Sequence, residues 1–387
     1  MKCLFINPDF PPPMVGGSVV YYYYLHSSFV SEELAVLTAQ APGSPEFDAS
    51  LPYQVIRKNC IKWTAITEPP LVKATDLIKQ FFIAWRIIVK QNVEVIHIGH
   101  FYPGAFMGWL LSVVTGTPYL LTVMGEDLTG LHMAGPIRRK LTLLALHRAY
   151  GVLTISKYAV NKLKEHGVEP GRITLLTPGF DTAKCNANKT KEPSCWGAIK
   201  DKKILLTVGR LTERKGQDMV LRALPVIIKE HPDVHYIIAG AGLEEKRLKG
   251  LTADLGFQKH VTIITDATDE EVAYLYQHCH LFIMPNRALP NGDNEGFGIV
   301  FLEAGYWGKP VIGGRDGGVP DAVEDGVTGL LVDGNDIDQI SIAVQRLLGD
   351  PALCQRMGQA GRLKALANSW PQKSAQLRAV LVEAVRK

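Results

Sequence analysis

Cysteine is scarce and scattered. Six thiols (Cys3, Cys60, Cys185, Cys195, Cys279 and Cys354) occur in 387 residues, none in a CxxC pair. That excludes a disulfide framework and a paired-cysteine metal site, and it reads as the reduced thiols of a cytoplasmic protein. Long apolar runs are missing too: no 18 apolar residues follow one another without a charge, so no membrane span is expected. The opening MKCLFINPDF lacks the extended apolar core of a signal peptide and reads as a first β-strand. The two signs of charge nearly balance, with 42 Lys+Arg against 38 Asp+Glu, and no nucleic-acid partner is expected. What is abundant is apolar mass. Hydrophobic residues make up 47% of the chain against 21% charged, which excludes disorder, collagen and coiled coil.

The small positive surplus is unevenly placed. Residues 1–185 hold 17 of the 42 basic and 13 of the 38 acidic side chains, so the whole excess of four lies there. Residues 128–164 carry Arg138, Arg139, Lys140, Arg148, Lys157, Lys162 and Lys164 and no acid. Within that run, 136–148 sets basic residues beside an apolar stripe. Such a helix either lies peripherally on an anionic membrane, at its inner face, or packs on a core with its basic side solvated.

Short apolar runs alternate with amphipathic ones along the chain. LFIN, LAVLT, YQVIR, VEVIHI, PYLLTV and GVLTIS are strand candidates of the first half; KILLTVG, VHYIIAGAG, VTIIT, LFIMP, PVIGG and TGLLV are those of the second. Helices are expected over 73–91, 136–148, 157–166, 214–230, 243–255, 269–279 and 338–348. The alternation implies an α/β protein of two doubly wound, parallel-sheet, Rossmann-like domains facing across a cleft. Residues 1–183 form the first and 201–370 the second. The polar stretch 184–200 is expected as a linker, and a last helix over 371–387 as packing back on the first domain.

Three motifs are better explained by local structure. His97-Ile-Gly-His100 spells the HIGH signature of class I aminoacyl-tRNA synthetases, but no KMSKS-like loop accompanies it. Asp336-Ile-Asp338 has the text of a metal-holding DxD, yet it precedes a helix, where aspartate caps. Gly240-Ala-Gly242 is half a dinucleotide fingerprint without its third glycine or a suitable acid. No cluster has metal-ligand spacing, so no metal is expected.

The remaining motifs point to phosphate. Gly16-Gly17 lies at a strand-to-helix turn, where backbone N–H groups can approach an anion. Arg210 and Lys215 share one loop after the strand KILLTVG, the arrangement a pyrophosphate needs. Both are expected at the cleft, where replacement should change folding little. In Asn291–Glu303, the eight-residue step from Glu295 to Glu303 is about two turns, which predicts both on one face of a single helix. Glu295-Gly-Phe-Gly would open that helix and offer its free N–H groups.

GRLTERKGQD, IIAGAG, EGFGIVFLEAGYWGKPVI and GGVPDAVEDGVTGLLV together resemble glycosyltransferase family 4, retaining enzymes of the GT-B fold. The resemblance covers most of 200–335 and extends more loosely to Gly16-Gly17, VEVIHIGH and TPGFD. NGDNEGFGIVFLEA is similar in particular to the phosphatidylinositol-mannoside mannosyltransferase branch. The resemblance implies that Glu303 binds the donor ribose and that Glu295 lies by the sugar hydroxyls. It implies that Arg210 and Lys215 neutralise the diphosphate in place of a metal, and that N–H groups of Phe297, Gly298, Ile299, Gly16 and Gly17 complete the cradle. Where many members have TxH, this chain has Thr122-Val-Met124, and a thioether cannot replace a ring nitrogen. Glu126, Asp127, His97 and His100 are the candidates to fill that role. The implied activity is hexose transfer with retention from a nucleotide-diphosphate sugar to a glycan or lipid-linked acceptor, with no further cofactor. GDP-mannose is the favoured donor. UDP-glucose, UDP-GlcNAc and a non-catalytic sugar-nucleotide-binding role are the alternatives.

Overall fold

The computed structural model describes residues 1–14, 16–61, 70–129, 135–181 and 190–386. The chain divides into two compact units, Met1–Gly179 with Trp370–Lys387, and Phe180–Ser369.

The first unit is built on seven parallel strands: β1 (Cys3–Ile6), β2 (Leu34–Thr38), β3 (Gln54–Arg57), β4 (Val95–Ile98), β5 (Tyr119–Val123), β6 (Gly151–Thr154) and β7 (Ile173–Leu175). Their order is β3-β2-β1-β4-β5-β6-β7, with Cys3 opposite both Leu34 and Val95. The central strands are buried at every position, which is why they read as unbroken apolar runs rather than alternating ones. Helices Pro70–Gln91, Gly104–Thr115 and Pro136–Arg148 pack side by side and share one core with the sheet, through residues such as Ile87, Leu111 and Leu146. Gly104–Thr115 was not among the expected helices because GAFMGWLLSVVT is apolar nearly all round and so has no helical period. β7 leaves no pattern in the sequence either, being three residues at a sheet edge.

Helix Trp370–Arg386 packs on helix Gly17–Leu25. Tyr24 stacks on the Trp370 indole at 5.5 Å, and Lys373 Nζ donates to Thr177 Oγ1 at 2.8 Å.

The second unit has six parallel strands: β8 (Lys203–Val208), β9 (Val234–Ala239), β10 (Val261–Ile264), β11 (Leu281–Met284), β12 (Val311–Gly314) and β13 (Gly329–Val332). They are ordered β10-β9-β8-β11-β12-β13. Gly240 and Gly242 owe their identity to crowding, since a Cβ on either would collide with the carbonyl of Gly209 or Leu211. Asp336 caps helix Ile337–Gly349, accepting from the Gln339 N–H at 3.0 Å. Of the expected linker, 184–189 lie outside the described residues. The rest is docked on the second unit: Trp196 is buried against Tyr274 at 5.3 Å, and Lys191 pairs with Glu271 at 3.0 Å. No described helix is long and apolar enough to cross a membrane.

Candidate active site

In the second sheet the chain runs outward from β8 to β9 on one side and from β11 to β12 on the other. The reversal between β8 and β11 opens a crevice at their carboxyl ends, the place where doubly wound sheets bind ligands. Two loops meet there. The loop after β8 carries Arg210, then a 3-10 turn, Glu213–Lys215, which Gly216 ends before helix Gln217–Glu230. The loop after β11 runs from Pro285 to Gly298 and enters helix Ile299–Tyr306.

Glu295 joins them. Its Oε2 accepts from Arg214 Nη1 at 2.6 Å, from Asn286 Nδ2 at 3.2 Å and from Lys215 Nζ. All four residues are buried. Burial works against the charge on Glu295, but Lys215 and Arg214 hold its carboxyl below the ordinary range. Burial likewise pushes Lys215 down, with Glu295 opposing. A second buried pair braces the loops: Arg287 makes a bidentate contact to Asp218, both bonds 3.0 Å. Asn286 Oδ1 is buried with no partner among the described residues, an acceptor available to a ligand hydroxyl.

The two glutamates do not share a helix, contrary to the spacing argument. Gly298, at φ 87°, forms the N-cap, and the helix begins only at Ile299. No residue with a Cβ holds that conformation easily, so the chain turns there and Glu295 stays in the preceding loop. Glu303 alone is helical, accepting from Tyr276 Oη at 2.9 Å. Phe297 is buried, and the N–H groups of Phe297, Gly298 and Ile299 enter no hydrogen bond among the described residues. Arg210 is exposed. Lys215 is not. Its replacement takes one buried cation from Glu295, which keeps Arg214 and Asn286, so a cost in folding is expected where the sequence suggested little.

Arg214, Asn286, Arg287 and Asp218 were absent from the sequence-derived site. Arg214 had a signal, being a third cation on the same short loop. The Asn286-Arg287 pair had a fainter one, polar residues directly after an apolar strand.

In the first unit the strand order reverses between β1 and β4. Gly16 (φ 97°) caps helix Gly17–Leu25, and a Cβ on Gly16 or Gly17 would meet nothing within 4 Å, leaving the helix end open. His97 is fully buried, with Nε2 2.8 Å from Thr122 Oγ1 and Nδ1 3.2 Å from His26 Nε2. Burial brings His100 to about 3. Asp127 Oδ2 accepts from the Met124 N–H at 2.8 Å, and burial raises its carboxyl. The side chain of Glu126 lies outside the described residues. Among those residues no three His, Cys, Asp or Glu side chains are grouped to hold a metal.

Two parallel-sheet, Rossmann-like units are the architecture of the GT-B class of glycosyltransferases. The Glycosyltransferase Family 4 model matches residues 15–184, and the Glycosyl transferases group 1 model residues 188–364. A GDP-mannose-dependent alpha-(1-6)-phosphatidylinositol monomannoside mannosyltransferase of Mycolicibacterium smegmatis is 31% identical over 98% of this chain and 97% of its own length. A Corynebacterium glutamicum enzyme, the GDP-mannose-dependent monoacylated alpha-(1-6)-phosphatidylinositol monomannoside mannosyltransferase, is 29% identical over the same shares. The chain belongs to glycosyltransferase family 4, and it is a glycosyltransferase. Among solved structures, Anabaena HepE in complex with UDP and glucose has a TM-score of 0.77 at 18% identity, covering 99% of this chain and 100% of that one. Sucrose-phosphate synthase of Thermosynechococcus elongatus has 0.77 at 22%, covering 99% and 98%. Both likenesses concern the fold.

Proposed function

We propose that this enzyme transfers mannose from GDP-mannose to a hydroxyl of a membrane-borne, lipid-linked acceptor, with retention and without a metal. The observation that carries the reading is the convergence of Lys215, Arg214 and Glu295 at the β8–β11 crevice, in a chain whose full-length relatives are named for this donor. Exposed Arg210, with Lys215, meets the charge that develops on the departing diphosphate, and the open N–H groups at Phe297–Ile299 add to it. All three donors to Glu295 use Oε2, which leaves Oε1 for a sugar hydroxyl. The leaving phosphate takes the acceptor proton on the face it departs from, so no carboxylate nucleophile is required. On the acceptor side, helix Pro136–Arg148 exposes Ile137, Leu141 and Leu144 beside Arg139 and Lys140, which supports attraction to an anionic membrane.

The test offers the purified enzyme GDP-mannose, UDP-glucose and UDP-GlcNAc with a lipid extract, and reads the product's anomeric configuration by NMR. Transfer from GDP-mannose that persists in excess EDTA, with retained configuration, is expected. Preference for a UDP-sugar would overturn the donor. Binding without turnover of any donor would favour the non-catalytic role.

Arg210→Ala should cost about 2–4 kcal/mol of transition-state stabilisation, read as kcat/KM, with an unchanged melting temperature. Glu303→Ala should weaken GDP binding in calorimetry, whereas Glu295→Gln should depress turnover more than GDP affinity. Equal loss of GDP binding in both would remove the distinction between ribose and sugar roles.

A further inference from the structure

Glu303 is held by a residue that neither loop of the crevice supplies. Tyr276 lies in helix Asp269–His278, which precedes β11, and its Oη donates to Glu303 Oε2 at 2.9 Å. Tyr276 is only 2% exposed. A buried phenol hydroxyl needs an acceptor, and here the acceptor is a carboxylate 27 residues further along the chain. Glu303 itself is only half-buried, so a ligand can still touch it.

Three aromatic rings fix where that hydroxyl points. Tyr276 packs on Phe282 of β11 at 5.8 Å, and Phe282 meets Phe301 edge-on at 5.5 Å. All three are buried. Phe301 lies two residues before Glu303, and its ring fills the space that a Cβ on Gly298 would need, 2.6 Å away. The start of helix Ile299–Tyr306 and the Tyr276 hydroxyl are therefore located against each other through β11. Tyr274, about 200° around the same helix, faces the docked residues 190–200 instead. It packs on Trp196 at 5.3 Å, and its hydroxyl donates to Glu192 at 3.0 Å.

Glu303 stands four residues beyond Ile299, about 6 Å along the helix from its open N–H groups. Ribose hydroxyls lie on the same scale from a nucleotide's diphosphate. A glutamate side chain turns about several bonds, and a ligand that meets it unrestrained must bring all of them to rest. The bond from Tyr276 does so before the ligand arrives.

We propose that Tyr276 is a positioning residue for the donor nucleotide, its hydroxyl orienting the Glu303 carboxylate toward the ribose. This deepens the ribose role given to Glu303 above and rests on it.

Calorimetry on the full chain with GDP and with 2′,3′-dideoxy-GDP tests the proposal. Wild type should bind GDP more tightly, because Glu303 accepts from a hydroxyl that the dideoxy nucleotide lacks. Y276F should weaken GDP about threefold to tenfold, as expected for leaving one long side chain to be ordered on binding. Its affinity for the dideoxy nucleotide should match that of wild type. Y274F, which removes a hydroxyl from the other side of the same helix, should bind both nucleotides as wild type does. In an E303A background, adding Y276F should change neither affinity. Equal weakening of both nucleotides by Y276F would make Tyr276 a purely structural residue and overturn the proposal. So would a Y276F that keeps the full preference for GDP while E303A loses it, with the ribose role of Glu303 left standing. A wild type without preference, or an E303A that retains it, would overturn the ribose role itself and the proposal with it.

Discussion

Replacing Glu295 by alanine should destabilise the second unit by about 3–5 kcal/mol, because buried Lys215 loses its carboxylate and buried Arg214 keeps only the half-buried Asp293, 3.2 Å from its Nε. Arg214 and Lys215 converge on a single oxygen of Glu295, and both are buried there. For a unit of this size, that loss lowers the melting temperature by about 10 °C. Added GDP should restore stability to Glu295→Ala by more than it stabilises wild type, since a diphosphate supplies the missing anion to the same cations. Differential scanning fluorimetry with and without GDP reads both effects. A variant that melts like wild type would mean the pair carries no stability. Equal GDP shifts would mean the nucleotide lies elsewhere. The carboxyl is held low in the folded state, so its contribution is present above the ordinary glutamate range and is lost as pH falls through its depressed value.

Mild acid should destabilise the first unit strongly, through histidines that the fold keeps neutral. Burial holds His26 at about 4, and burial with His26 beside it holds His97 well below 6.5. His100 lies at about 3. The hydrogen-bond chain is consistent with two neutral rings. His26 Nδ1–H donates to the Tyr22 carbonyl, so its Nε2 accepts from His97 Nδ1–H, and His97 Nε2 accepts from the Thr122 hydroxyl. The unfolded chain takes up these protons near pH 6.5 and the folded chain refuses them. Stability is therefore complete above that pH and lost on the way down, by about 1.4 kcal/mol per pH unit for each ring. At pH 5 His26 and His100 together account for about 4 kcal/mol, and His97 acts in the same direction. Thermal unfolding at pH 7.5 and pH 5 should differ accordingly. The slope should flatten in His26→Gln/His97→Gln, whose starting stability will be lower. An identical slope in that variant would show that the acid sensitivity arises elsewhere.

The sequence by itself determined the architecture of both sheets. Twelve of the thirteen strands among the described residues were legible, because strands buried on both faces must be continuous apolar runs, and such runs stand out between amphipathic helices. It also determined the class of protein, through the resemblance of GRLTERKGQD and EGFGIVFLEAGYWGKPVI to glycosyltransferase family 4. Periodicity could not find helix Gly104–Thr115, which has almost no polar face, or β7, which has almost no length.

Tertiary structure decided the rest. Arg214 and Glu295 are 81 residues apart, and they meet only because β8 and β11 are neighbours where the strand order reverses. Eight residues between two glutamates suggested one helix, but the left-handed Gly298 starts that helix late and turns Glu295 back toward the cations. The regular pattern of helix 70–91 was visible in the chain, yet only packing revealed which apolar residues it buries and which it leaves exposed. Ile87 and Ile88 face the core, while Phe82 and Trp85 do not. Apolar residues on two sides of one helix read alike in sequence, and what lies against each side is settled by elements distant along the chain.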